Sequence, residues 1–314
     1  MVVYTYEKGV HINNIKDFEK SLNTFVDKIL TEYHDRLAEV VFTTDVKTAL
    51  STRMVEDEYQ RWLWENEFTY LKTCGKTFRS RNDNTKYAIV LYPIAGIFLK
   101  DCFTTNQKTI PVNSNINQND MIASFCHEVI HVYWNVYFDN NTPMNLTDIQ
   151  MEKIDNLNDL VSEYDACRIE ESIHRQIKNE SMVGRFNISK EMDKLIQECQ
   201  NCEEMDFTNG SKKFYIALGE FNSIFTRAMG YYEGANEYEK LEQILGNEKF
   251  NIIFEDVLIN MSKLLRDFVK DNTIPIVDVA ENLDKLGWKQ RDTVLSNIGK
   301  TYKQTNQQGG AQDV

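Results

Sequence analysis

The segment MIASFCHEVIHVYWNVYF, residues 121 to 138, decides how this chain is read. It contains no Gly or Pro, and Phe125, Val129, Val132 and Val136 recur at helical spacing, which predicts a helix with one buried stripe. Asn117, Asn119 and Asp120 ahead of it are N-cap residue types, and Asp120 also suits the positive end of a helix. The run from Asp139 to Pro143 supplies the turn residues that stop it. Within the segment stands His127-Glu128-Val129-Ile130-His131. Residues i and i+4 share a helical face, so both imidazoles can reach one metal ion. Glu128 is rotated by roughly 100° from His127, close enough to serve water beside that metal without being a ligand. This is the layout of a zinc hydrolase: two nitrogen ligands, an adjacent base and a position left for water. The chain has only 5 His, so the pairing is not a by-product of a His-rich composition.

Catalytic zinc takes three protein ligands, and the third must come from elsewhere. The stretch from Ser162 to Arg168 is the best candidate region, inside a helix expected over about Asp155 to Lys178. Glu163 and Ala166 are three apart and share a face, and the small Ala166 allows close packing, so Glu163 is the preferred ligand. Glu170, His174 and Asp165 are rivals. An ordinary acidic helix with pairs such as Glu171 and Arg175 would explain the charges equally well, though not the Glu163 and Ala166 pairing.

Taken together, Thr109 to Asn115, then Phe125 to His131, then Glu163-x-x-Ala166 resemble the ImmA/IrrE-type family of bacterial zincin-like metallopeptidases. The resemblance spans about Tyr87 to Gln176. It implies an Asn-containing strand leading into the active-site helix, with Glu163 as third zinc ligand. It also implies a cytoplasmic enzyme that cleaves a specific regulator, commonly a repressor. Two positions depart from the pattern: Ile130 stands where relatives usually carry Gly, and Cys167 where they often have Asn.

A chain of 314 residues, 42% hydrophobic and 26% charged, can bury a sizeable core and has a globular composition. The net charge of -13 argues against non-specific nucleic-acid binding, because that needs Lys and Arg to neutralise phosphates. The basic run Lys76 to Arg81 reads as an exposed turn. The first residues lack a signal-peptide pattern and no apolar run approaches membrane length, so the expected location is cytoplasmic with no membrane partner. The 6 Cys then fit free thiols. Cys199-Gln200-Asn201-Cys202 is a lone pair without the second pair a structural zinc site needs, and Cys126 reads as a small packing residue.

Outside the motif, Ile15 to about Val41 reads as one amphipathic helix, and Asp45 to Leu71 as a second helical region. Asn82-Asp83-Asn84 signals a turn. Tyr87 to Tyr92, Gly96 to Leu99 and Thr109 to Val112 read as strands. Helices are expected at about Lys190–Cys199, Lys212–Met229, Glu237–Leu245, Asn251–Lys270 and Val277–Leu286, punctuated by Gly230, Gly234 and Gly246. The expected fold is α+β and mainly helical, with a zincin-like core whose small antiparallel sheet lies beside the His-Glu-x-x-His helix. The expected division is an N-terminal helical region 1–74, the metallopeptidase core 75–180, a C-terminal helical region 181–303 and a disordered tail 304–314.

The expected function is hydrolysis of a peptide bond in a protein or peptide substrate. Zinc would be held by His127, His131 and Glu163, with Glu128 as general base. Tyr164, Arg168, His174 and Tyr133 are candidates for stabilising the oxyanion, and Asp165 for orienting a ligand His. Two other readings stand beside it. One is a catalytically inactive metal-binding regulator that docks a partner; the other is a metal-free helical scaffold.

Overall fold

The structure is a computed structural model that describes residues 2–7, 10, 12, 14–66, 75–92, 118–183, 187–203 and 207–309. The chain forms two compact units: Met1–Asn140 with Ile173–Glu180, and Asn141–Ser172 with Ser181–Val314.

The first unit contains β1 (Val3–Tyr6), α1 (Ile15–Leu30), a 3₁₀ turn (Thr31–Arg36), β2 (Leu37–Phe42), α2 (Val46–Arg53), α3 (Glu56–Asn66), β3 (Gly75–Ser80), β4 (Asp83–Leu91) and α4 (Gln118–Asn141). Its four strands form one sheet in the order β1-β2-β4-β3. β1 and β2 are parallel, β2 and β4 are parallel, and β3 is antiparallel to β4. The sheet is therefore mixed rather than antiparallel, and the N-terminal region contributes two strands to it.

The single helix expected from Ile15 to Val41 ends at Leu30, and Leu37–Phe42 is a central strand. Val40, Val41 and Phe42 are fully buried. A strand covered on both faces is a continuous apolar run, which periodicity cannot tell from the end of a buried helix. Likewise, the basic run read as a turn is mostly strand β3. Only Arg81 and Asn82 connect it to β4.

Alternation along the strands assigns the layers. Val41, Val90 and Phe78 pack with Leu50 of α2 and Trp62 of α3 on one face. Phe42, on the other face, meets Phe18 of α1 with ring centroids 5.6 Å apart. Gly75, Thr77 and Arg79 also point to that second face, where they meet α4. α2 and α3 are separate helices because Met54 leaves the helix to bridge Ser80. On α4 the predicted stripe is as expected: Phe125, Val129, Val132 and Val136 are all fully buried. At its C-terminal end Asp139 accepts from Arg79 (2.6 Å) and from the Tyr87 hydroxyl (2.9 Å), which pins the helix to the sheet. The strands expected at Gly96–Leu99 and Thr109–Val112 lie outside the described residues.

α5 (Asp148–Lys178) is divided between the units at Ser172. The second unit adds α6 (Ile188–Glu203), α7 (Phe207–Gly234), α8 (Tyr238–Leu245), α9 (Glu248–Phe254), α10 (Val257–Lys270) and α11 (Ile276–Gly309). The helix expected over Asn251–Lys270 is two helices, broken at Glu255, whose φ of 50° is left-handed. Residues 304–309, expected to be disordered, continue α11, since extending a formed helix adds a hydrogen bond for each residue fixed. The remaining residues of that tail lie outside the described ones. Cys199 and Cys202 fall within α6. Gly230 and Gly234 do not interrupt α7; they let it touch α5. A Cβ on Gly230 would stand 2.3 Å from the Tyr164 carbonyl oxygen, and one on Gly234 would stand 2.3 Å from that of Arg168. Two glycines one turn apart thus face two carbonyls one turn apart. Farther along, Asn222 of α7 and Gln290 of α11 exchange amide hydrogen bonds at 2.8 and 3.1 Å. No helix among the described residues is long and apolar enough to cross a membrane.

Candidate metal centre

α4 places His127 and His131 one turn apart, with Nε2 facing Nε2 at 3.2 Å and the rings tilted by 64°. Zinc–nitrogen bonds of 2.0–2.1 Å in a tetrahedral arrangement put two ligand nitrogens about 3.3 Å apart. The separation therefore matches that of two ligands on one metal ion. His127 is buried and His131 half-buried.

Glu128 is also buried, at 4% exposure, and β3 makes room for it. A Cβ on Gly75 would lie 2.6 Å from the Glu128 Cγ, so only glycine lets the strand pass this closely. Two residues on, and on the same face, the Thr77 hydroxyl lies 2.8 Å from Glu128 Oε2 and 2.9 Å from the Glu128 carbonyl oxygen. The single hydroxyl proton is thus shared between, or alternates between, the side chain and the backbone of Glu128. Neither Gly75 nor Thr77 stood out in the sequence, because nothing about a Gly-x-Thr spacing points to a helix far along the chain.

In the second unit, Glu163, Cys167 and Glu170 follow one another along one face of α5. Each of the two carboxylates has a partner on α7. Arg227 Nε pairs with Glu163 Oε1 at 2.6 Å, and Tyr231 donates its hydroxyl to Glu170 Oε2 at 2.9 Å. Arg227 and Tyr231 are themselves one turn apart, flanking the close contact made by Gly230. The Cys167 sulfur lies 3.9 Å from Glu163 Oε1. Burial opposes the charge on Arg227, but Glu163, Cys167 and Tyr231 outweigh it and raise its pKa. The Tyr231 hydroxyl is pushed well above its ordinary range, first by burial and then by Cys167 and Glu170. Arg227 and Tyr231 were not singled out from sequence. They lie some sixty residues from their partners, and no local spacing rule reaches that far.

The other predicted residues have structural surroundings. Asp165 accepts from Arg168 Nε at 2.8 Å and from its NH2 nitrogen at 2.6 Å, so each occupies the other. Tyr164 is almost fully buried, and burial followed by Glu233 raises its pKa. Tyr133 stacks among Tyr33 and Tyr137 in the first unit. His174 is buried near the end of α5. Ala166 is fully buried.

Among the described residues, His127 and His131 in the first unit and Glu163, Cys167 and Glu170 in the second carry donor atoms of the kinds that hold metal ions. Imidazole, carboxylate and thiolate are donors to several divalent metal ions. No family model, no curated protein and no solved structure matches the chain.

Proposed function

We propose that this chain is a zinc-dependent metallopeptidase of the ImmA/IrrE type, acting on a peptide bond in a specific protein substrate. The observation that carries the reading is the facing Nε2 pair of His127 and His131, with Glu128, the residue after His127, seated against Thr77. His127 and His131 supply two ligands, and Glu163, the ligand preferred from the sequence, is assigned as the third. A bound zinc ion there would act as a Lewis acid toward water and the scissile carbonyl. Glu128 would take a proton from the attacking water and return it to the leaving amine nitrogen. The seat formed by Gly75 and Thr77 keeps the carboxylate from swinging away from that path. That the substrate is a peptide follows from the resemblance of the His-Glu-x-x-His and Glu-x-x-Ala motifs to the metallopeptidase family.

The first test is metal content by plasma mass spectrometry on protein purified without a metal-binding tag, beside His131→Ala. About one zinc per chain, lost in the variant, is the expected result for a three-ligand site. Absence of zinc from the parent protein after zinc is supplied would overturn the reading.

A further inference from the structure

Arg227 is the charged residue whose placement metal ligation alone does not require. Its side chain is 17% exposed, and that of Glu163, which it contacts, 19%. An ion pair withdrawn this far from water is seldom the cheapest way to stabilise a helix contact, because desolvating two charges offsets most of their attraction. A pair of apolar side chains would hold α5 to α7 at least as well, and the glycine contacts already bring those helices together. What a guanidinium adds is direction. Its fixed charge, with Nε 2.6 Å from Oε1, holds that end of the carboxyl group on the α7 side.

We propose that Arg227 is the positioning residue for Glu163, holding Oε1 so that the carboxylate is presented to a metal ion through its second oxygen. This inference rests on the zinc reading given above. Ligating carboxylates are themselves hydrogen-bonded, and loss of such a partner typically weakens metal binding about 10- to 100-fold. Tyr231 stands in the same relation to Glu170, so the α7 face formed by Arg227 and Tyr231 acts as the support for the α5 carboxylates.

The test is a cycle of zinc dissociation constants, measured by competition with a chromophoric chelator on the full chain. The proteins are the parent, Arg227→Gln, Arg227→Lys, Glu163→Gln and the Glu163→Gln/Arg227→Gln double variant. Arg227→Gln is expected to weaken zinc binding about 10- to 100-fold. Arg227→Lys, which keeps the charge but not the planar fork, falls between it and the parent, and carries the test if Arg227→Gln does not fold. The double variant binds zinc as Glu163→Gln does, because a residue acting through Glu163 has nothing to position once that carboxylate is gone. A merely structural Arg227 gives independent effects that multiply, and that result overturns the proposal, as does zinc binding by Arg227→Gln and Arg227→Lys equal to the parent. A parent protein that binds no zinc overturns the metal centre itself. A parent that binds zinc while the Arg227 variants are indifferent leaves the centre standing and removes only the role of Arg227.

Discussion

The two units each bury carboxylates on a helix, and they do it differently. In the first, Glu128 on α4 faces a strand that offers a neutral hydroxyl, Thr77, and a missing side chain, Gly75. In the second, Glu163 on α5 faces a helix that offers a permanent cation, Arg227. A hydroxyl can donate to a carboxylate or accept from a carboxylic acid, so it serves a group that gains and loses a proton. A guanidinium only donates and carries a fixed charge, so it matches a carboxylate that stays ionised. Under the proposed chemistry, the first partner suits a proton carrier and the second an anionic ligand. Both arrangements depend on glycine at the closest backbone approach: Gly75 under Glu128, Gly230 beside Tyr164 and Cys167.

The sharpest way to break this contrast is Glu128→Gln. Peptide cleavage should fall by about 10²- to 10⁴-fold, the usual worth of a general base, with zinc content unchanged. Cleavage at the parent rate would assign Glu128 to packing and favour a docking protein over an enzyme. Gly75→Ala tests the seat without touching the acid. The new methyl group collides with the Glu128 side chain, so turnover should drop by roughly 10- to 100-fold while zinc stays bound. A rate equal to the parent's would show that Glu128 needs no fixed position. On the second unit, Gly230→Ala should lower stability to urea by about 1–3 kcal/mol through forced separation of α5 and α7. Gly219, on the same helix, has nothing within 4 Å of its virtual Cβ. Gly219→Ala should therefore raise stability, by about 0.5–1 kcal/mol. Equal responses at the two glycines would show that the helix contact is not built on Gly230.

What the sequence shows plainly is what lies within one element. The α4 stripe and the His127–His131 pairing follow from a 3.6-residue period within a few turns. Most of the C-terminal helices were legible for the same reason, since Gly and Pro bracket them. The sheet was harder. β2 is central, so it shows no alternation, and its apolar residues ran on from the α1 pattern. Gly230 and Gly234 were visible but read as breaks. Their spacing of one turn, inside a stretch otherwise rich in helix formers, was the available sign of a helix contact. Thr77 and Arg227 carried no sign at all, because their partners are set by how strands and helices meet, which no short window contains.

The hairpin that carries Gly75 and Thr77 has a consequence in time. Its strands close through two residues, whereas β1 reaches β2 only across α1 and β2 reaches β4 only across α2, α3 and β3. Short closures cost the least chain entropy, and hairpins zip in about 1–10 μs. On a chain made from its N-terminus, this hairpin precedes residues 118–141. The hairpin can therefore begin to pair before α4 is complete, and α4 packing onto it then adds the stabilisation that two strands alone lack.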